Sequence, residues 1–380
     1  MPKPKWTFLL SGGGTGGHVY PAIALADAIR ERMPDTVIRF AGAPDRIEWK
    51  AVPKAGYEIS PVWISGLQRR FTLSNLLVPV KLLVSLFQSL LIIRRLRPHA
   101  VICTGGYVSG PVGFMAAVLG VPLFLQEQNG YPGVTTRLLA RFARKIYLGF
   151  DGADEWLRQH KGKLFLSGNP TRKEIVVSIE AEPDAMPYGM DPEKRTLLVL
   201  GGSGGAKAIN DSVWAQLERI HDKMGVQILW QCGPAYYDKL SAQLDKERWP
   251  HVHLTAFIDD MAAAYKAADV VFARAGAGTC TELLIAAKPS ILMPSPHVAG
   301  NHQFHNAADM VGLGVSIMLE DDEGPIVLAD FLSDIFTEKG RMEAMIAAAK
   351  KAAKPKAALN IATDILNTTF TLHPTTGGNA

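Results

Sequence analysis

One histidine, one glutamate and two glycine-rich turns are the features of this 380-residue chain whose types and spacing can do chemistry. His18 closes the first turn, Leu10-Ser11-Gly12-Gly13-Gly14-Thr15-Gly16-Gly17-His18, at the start of a helical pattern. A positive helix end favours the neutral imidazole, and a neutral imidazole beside a phosphate can act as a general base. The same position also suits a histidine that only caps or packs the helix. Glu282 follows the small-residue stretch Ala273 to Thr281, read as a strand end, a loop and then a helix. Small residues permit close approach of a ligand, and a carboxylate there can accept two hydrogen bonds from a ribose diol. The bland alternative is a carboxylate that only stabilises the helix N-terminus. The second glycine turn reads Leu200-Gly201-Gly202-Ser203-Gly204-Gly205-Ala206. Each turn follows an apolar run and precedes a helical pattern. Glycine lets the backbone approach a phosphate, and the free N–H groups of the helix point at it. Two such units predict two α/β domains with a cleft between them and a ligand that carries phosphate.

Other motifs narrow the chemistry. The loop Pro294 to Asn306 enters a helix and is crowded with polar side chains; its amides suit sugar hydroxyls. Its three histidines, His297, His302 and His305, have no carboxylate or cysteine at ligand spacing, so no metal and no cofactor are expected. The first turn lacks the GxxxxGK[ST] pattern of an ATPase loop. Arg39-Phe40-Ala41-Gly42 stands where a dinucleotide site would place an acidic residue, which disfavours a nicotinamide-dependent dehydrogenase.

The elements that must position these groups alternate. Trp6–Leu10, Val37–Ala41, Ala100–Cys103, Pro122–Gln126 and Lys145–Gly149 read as strands of the first half. Thr196–Leu200, Gln227–Gln231, His253–Ala256, Val270–Ala273 and Ser290–Met293 read as strands of the second. Helical patterns between them predict doubly wound parallel sheets. The expected division is residues 1–168 as an N-terminal domain, 169–366 as a C-terminal domain and 367–380 as a fraying tail.

Cys103, Cys232 and Cys280 form no paired or metal-binding spacing, which fits a reducing cytoplasm. Residues 1–163 hold 21 Lys+Arg against 10 Asp+Glu, and the remainder 19 against 26. The basic half is expected to face an acidic surface, or to carry a plain excess of solvated charge. Val80 to Ile93 is too short and too polar for a membrane span of roughly 20 apolar residues. Within Ile64 to Arg97, apolar residues flanked by Arg69, Arg70, Arg94, Arg95 and Arg97 suit either a membrane interface or a partly buried domain helix.

In this order along the chain, Gly13-Gly14-Thr15-Gly16-Gly17-His18, Ile64-Ser65-Gly66-Leu67, Gly105-Gly106-Tyr107-Val108-Ser109-Gly110-Pro111, Glu127-Gln128-Asn129, Gly168-Asn169-Pro170-Thr171-Arg172, Gly201 to Ala206, Phe257-Ile258-Asp259-Asp260-Met261, Thr281-Glu282 and His302-Gln303 with Asn306 form one set. The set resembles the MurG glycosyltransferases of family 28. The resemblance implies a GT-B fold, two Rossmann-like doubly wound domains facing across a cleft. It implies inverting transfer of N-acetylglucosamine from UDP-GlcNAc to the 4-hydroxyl of a lipid-linked muramyl-pentapeptide (lipid I to lipid II) in peptidoglycan synthesis. It places the protein on the cytoplasmic face of the inner membrane, against an anionic lipid surface and beside other cell-wall synthesis proteins, with no nucleic acid.

By the same resemblance the Ile258 backbone meets uracil and Glu282 the ribose. Ser203 and the loop Ala277, Gly278, Thr279, Cys280 and Thr281 hold the diphosphate with Arg172 beside it, and Gln303 binds the sugar. Thr15, Gly16, Gly17 and Asn129 reach the donor from the first domain, and His18 is the candidate base. Gln126 stands where the family often has histidine, so no proton-transfer role carries over to it. Gln68-Arg69-Arg70-Phe71 departs from the family's basic-glycine stretch, and His302 stands where glutamine is common. The competing readings are another GT-B lipid glycosyltransferase, a UDP-sugar epimerase and a non-catalytic nucleotide-binding module.

Overall fold

The computed structural model describes residues 6–66, 77–180 and 187–373. Two compact units emerge: Met1–Arg172 with Lys356–Ala380, and Lys173–Pro355. The first is built on a parallel sheet of β1 (Thr7–Gly12), β2 (Val37–Gly42), β3 (Glu58–Pro61), β4 (Ala100–Gly105), β5 (Leu123–Glu127), β6 (Lys145–Leu148) and β7 (Leu164–Leu166), in the order β3-β2-β1-β4-β5-β6-β7. The second is built on β8 (Thr196–Leu200), β9 (Gln227–Gln231), β10 (Val252–Thr255), β11 (Val270–Ala273), β12 (Ser290–Leu292) and β13 (Ser316–Met318), in the order β10-β9-β8-β11-β12-β13. These are the two doubly wound sheets that the alternation of elements implies.

The central strands form because their apolar runs are covered on both faces, as parallel sheets require. Phe8 and Leu10 of β1 join one core with Val19, Ile23 and Ile29 of the Gly16–Arg32 helix. Leu9, between them, joins a second core with Val101 of β4 and Val112 of the Ser109–Val118 helix. In register, Leu10 lies beside Phe40 of β2 and Ile102 of β4. The second sheet repeats the pattern, with Val199 between Trp230 and Phe272. In each sheet the strand order reverses beside the first strand, between β1 and β4 and between β8 and β11. Ligands of open α/β sheets bind at the carboxyl ends of strands at such a reversal.

The structure departs from the sequence reading in two places. β3, β7 and β13 are additional strands, all at sheet edges. The C-terminal segment, expected to close the second domain and fray from Asn367, instead forms the Ala357–Leu372 helix, which packs on the first unit. Ile361, Ala362, Ile365 and Leu366 enter the core beside the Gly16–Arg32 helix, and Thr369 is buried. The helix is fixed by Asp364, which accepts hydrogen bonds from Lys145 Nζ (2.8 and 2.9 Å) and from Tyr147 Oη (2.7 Å).

All three cysteines are buried and free. Among the described residues no helix is long and apolar enough to cross a membrane. Gln68 to Phe71, singled out for acceptor recognition, lie outside the described residues.

Asp364→Ala leaves the Lys145 ammonium and the Tyr147 hydroxyl without their shared acceptor. It is expected to lower the stability of the first unit by about 1–3 kcal/mol, measured as a lower urea midpoint. An unchanged midpoint would mean that both donors regain water.

Candidate active site

The second unit carries the larger assembly. β8 ends at Leu200, and the chain turns through Gly201 to Gly205 into the Lys207–Glu218 helix. Gly205 has a φ of +79°, and a Cβ there would lie 2.3 Å from the carbonyl oxygen of Cys232. Only glycine fits this turn, and Ser203 is exposed at its tip.

Gln231, at the end of the neighbouring strand β9, ties the turn to the next loop. Its Nε2 donates to Gly202 O (2.9 Å), and its Oε1 accepts from the backbone N–H of Ile258 (3.0 Å). The Ile258 N–H is thereby committed within the protein.

β11 ends at Ala273, and the Ala277–Ile285 helix follows. The stretch Ala277 to Thr281, expected as a loop, is therefore the opening of a helix. Gly278, Thr279, Cys280 and Thr281 are poor helix formers on their own, which is why the stretch reads as a loop; tertiary packing, with Cys280 and Thr281 buried, overrides that preference. Cys280 N donates to Gly276 O (2.9 Å), the Thr281 hydroxyl donates to Ala277 O (2.7 Å), and both side chains are buried. Burial holds the Cys280 thiol well above its ordinary pKa, so no thiolate charge opposes an anion here. No side chain caps this helix, so its first N–H groups remain an anion site.

Glu282 stands one turn further on. Its Oε2 accepts a hydrogen bond from the hydroxyl of Tyr265 (2.9 Å), which is fully buried and held far above its ordinary pKa by that burial and by the adjacent carboxylate. A pinned carboxylate fits a ligand-binding role better than a loose charge at a helix end.

Arg274 is held in a bidentate pair by Asp321 and donates to Met293 O (3.0 Å). Gln303 Oε1 accepts from the N–H of Ser295 (2.8 Å), and the buried Asn306 donates to Ala275 O (3.0 Å), which fixes the polar loop. The result is one cavity of about 510 Å³ lined by Gly201 to Ser203, Ile258, Arg274, Thr279, Glu282 and Gln303, among others. It lies at the reversal between β8 and β11. Of the residues expected to hold a nucleotide sugar, Ser203, Ile258, Thr279, Glu282 and Gln303 line it. Ala277, Gly278, Cys280, Thr281 and Arg172 do not.

The first unit carries the other group, at the reversal between β1 and β4. Gly16 and Gly17 open the Gly16–Arg32 helix, Thr15 precedes it, and Thr15 O accepts from the N–H groups of His18 (3.2 Å) and Val19 (3.3 Å). Gly106 (φ +78°) must be glycine, because a Cβ would lie 2.1 Å from Gly13 O. Glu48, fully buried, accepts from Gly14 N (3.0 Å) and Ala43 N (3.2 Å) and so fixes the turn. His18 Nδ1 lies 3.1 Å from Thr104 O and 2.8 Å from Gln128 Oε1.

The Glu127 carboxylate accepts from Asn129 N and Nδ2 (both 3.2 Å), Gly133 N (3.0 Å) and Thr136 Oγ1 (2.6 Å). It is committed to holding Asn129 and its loop and is not a base. Arg172 belongs to this unit, with its guanidinium 5.1 Å from the ring centre of Tyr20.

Models of the glycosyltransferase family 28 N-terminal and C-terminal domains match residues 8–148 and 196–361. The chain belongs to glycosyltransferase family 28. A relative from Salinibacter ruber, named UDP-N-acetylglucosamine--N-acetylmuramyl-(pentapeptide) pyrophosphoryl-undecaprenol N-acetylglucosamine transferase, is 42% identical over 94% of this chain and 95% of its own. The crystal structure of Acinetobacter baumannii MurG matches with a TM-score of 0.75 at 25% identity, covering 96% of this chain and all of that one. A putative UDP-N-acetylglucosamine 2-epimerase from Listeria monocytogenes shares the fold alone, with a TM-score of 0.67 at 15% identity over 96% of this chain and 97% of its own. The family-28 membership makes the chain a glycosyltransferase with two Rossmann-like domains of the GT-B type, as its motifs imply.

Sequence reasoning missed Gln231, Tyr265, Arg274 and Gln128 as parts of these sites. Arg274 carried a signal, since it stands at the end of a strand pointing into a small-residue stretch. Tyr265 and Gln231 carried none, because each lies in a run that reads as core. Tyr265→Phe leaves Glu282 without its buried donor and is expected to cost about 0.5–1.5 kcal/mol in stability. A urea titration measures it, and a variant equal to wild type would show that Glu282 is held by other partners.

Proposed function

We propose that this family-28 enzyme transfers N-acetylglucosamine from UDP-GlcNAc to the 4-hydroxyl of an undecaprenyl-linked muramyl-pentapeptide, with inversion at the anomeric carbon. The observation that carries the reading is the cavity at the β8/β11 reversal. It combines an uncapped helix N-terminus, a glycine turn and a pinned carboxylate, in a chain 42% identical to a transferase of that name. In this reading Glu282 accepts the ribose hydroxyls, the Ile258 carbonyl accepts from the uracil N–H, and Gln303 Nε2 reaches the sugar.

The hydroxyl oxygen forms the new bond to the anomeric carbon as the bond to the UDP oxygen breaks. The charge that grows on the diphosphate is stabilised by the N–H groups of the turn Gly201 to Gly205 and of the Ala277–Ile285 helix. Arg274 adds positive charge, and His18 takes the hydroxyl proton. The shared fold also admits an epimerase, but the long match to transferases favours transfer.

The acceptor's lipid implies work at a membrane surface, and the Val78–Leu96 helix supports this. It buries Ser85 and Ser89, whose hydroxyls bond back to Leu82 O and Ser85 O (both 2.7 Å). It exposes Leu83 (69%), Phe87 (60%) and Leu91 (51%) instead, with Arg94 and Arg95 in the last turn. Ile93 is buried beside the two serines, so the exposed leucines and phenylalanine form a second apolar face, which suits an apolar cover flanked by anionic headgroups.

Transfer of labelled GlcNAc to a lipid I analogue tests the reaction. His18→Ala is expected to lower kcat by about 10²–10⁴-fold with little change in donor KM; equal losses in both would give His18 a binding role only. Leu83→Glu with Phe87→Glu is expected to reduce partitioning onto anionic vesicles. Unchanged partitioning would remove this helix from the membrane face.

A further inference from the structure

A histidine serves as base only when its outward nitrogen carries a lone pair, and we propose that a buried chain of three carboxamides, Gln128, Gln126 and Asn169, sets His18 in that state. The inference rests on the reading of His18 as the base and names what positions it.

The directions of the hydrogen bonds follow from backbone carbonyls, which can only accept: Thr104 O and Gln126 O (3.2 Å) at Gln128 Nε2, and Gln128 O at Asn169 Nδ2. Gln128 places one side-chain atom 2.7 Å from Thr104 O, so that atom is Nε2 and donates. Its other atom, 2.8 Å from His18 Nδ1, is then the oxygen. His18 Nδ1 therefore faces two acceptors, Gln128 Oε1 and Thr104 O (3.1 Å), and must carry the proton. The assignment passes outward without conflict. Gln128 Nε2 also donates to Gln126 Oε1, and Gln126 Nε2 donates to Asn169 Oδ1 (2.9 Å). Asn169 Nδ2 donates to Gln128 O (2.9 Å), again a backbone carbonyl. Turning over any one amide sets acceptor against acceptor or donor against donor.

The relay is also shut away from water, with Gln126, Gln128 and Asn169 at 0, 2 and 4% exposure. A mispaired amide there is costly. Its far end is close-packed, since a Cβ on Gly149 would lie 2.2 Å from Asn169 Oδ1. With Nδ1 committed, His18 Nε2 has no hydrogen-bond partner among the described residues and keeps its lone pair for the acceptor hydroxyl. Gln128 is thus a positioning residue for the reaction, and Gln126 and Asn169 hold its orientation. No charge is introduced beside the base. The tautomer is set by neutral dipoles, where other histidine bases use a carboxylate.

The test is long-range ¹H–¹⁵N correlation NMR of histidine-labelled full-length enzyme, with His18→Ala used to assign the His18 signals. In wild type at alkaline pH, Nδ1 is expected to give the protonated-nitrogen shift and Nε2 the lone-pair shift. The reverse pattern, or an even mixture, would overturn the proposal. Gln128→Leu is expected to convert the spectrum to a mixture and to lower kcat by about tenfold or more, while donor KM stays within about twofold. Gln126→Met acts one link away and is expected to give a smaller change of the same kind. If Gln128→Leu is folded, keeps the wild-type spectrum and keeps its kcat, the relay does not position His18.

Failure of the underlying reading looks different. His18→Ala would then match wild-type kcat, or lose kcat and donor affinity alike, whatever the wild-type spectrum shows.

Discussion

The reversal of strand order beside the first strand of each sheet is the constraint on which both sites depend. A parallel strand sends its chain onward to a helix on one face, and where the order reverses the next helix goes to the other face. The carboxyl ends of the two strands are then left uncovered. In the first unit the two faces carry separate cores, one around Phe8 and Leu10 and one around Leu9. The opening between β1 and β4 is filled by the turn Gly13 to Gly17 and by Thr104 to Gly106. In the second unit the opening between β8 and β11 is filled by the turn Gly201 to Gly205 and the uncapped Ala277–Ile285 helix. Both openings therefore present backbone N–H groups, and the side chains that complete each site are those that strand ends deliver there.

This geometry explains which parts were legible in the sequence. The central strands were, because a strand buried on both faces must be largely apolar, as Leu197 to Leu200 and Val270–Ala273 are. The edge strands β3, β7 and β13 were not. Glu58–Pro61 holds a glutamate and a proline, and Leu164–Leu166 is only three residues long with Phe165 and Leu166 exposed. An edge is paired on one side only and need not look like core. The last helix was legible neither in its extent, since residues from Asn367 on read as a fraying tail, nor in its allegiance. Its partners, Lys145 and Tyr147, lie more than 200 positions away along the chain.

The candidate sites divide in the same way. Glycine turns, His18 and Glu282 announce themselves because their residue types are unusual for their local element. Tyr265, Gln231 and Gln128 are ordinary in theirs. Their roles arise from what lies across a strand gap: Gln231 between Gly202 and Ile258, Tyr265 beneath Glu282, Gln128 between Thr104 and His18. Periodicity reports which face of an element is buried. It does not report which buried polar atom meets which partner.

The buried polar groups around both sites share a further property. The carboxylates that approach the backbone, Glu48 at Gly14 and Glu127 at Asn129, are held by N–H and hydroxyl donors. The groups that orient the reactive elements are amides: Gln126, Gln128 and Asn169 beside His18, and Gln231, Gln303 and Asn306 around the cavity. An amide offers a donor and an acceptor at fixed separation with no net charge. Beside a leaving diphosphate a further carboxylate would oppose the charge that Arg274 and the backbone N–H groups stabilise. A neutral dipole orients without adding that cost. Its own weakness is that it can turn over, and the structure answers this by ending the amide chain on backbone carbonyls that cannot.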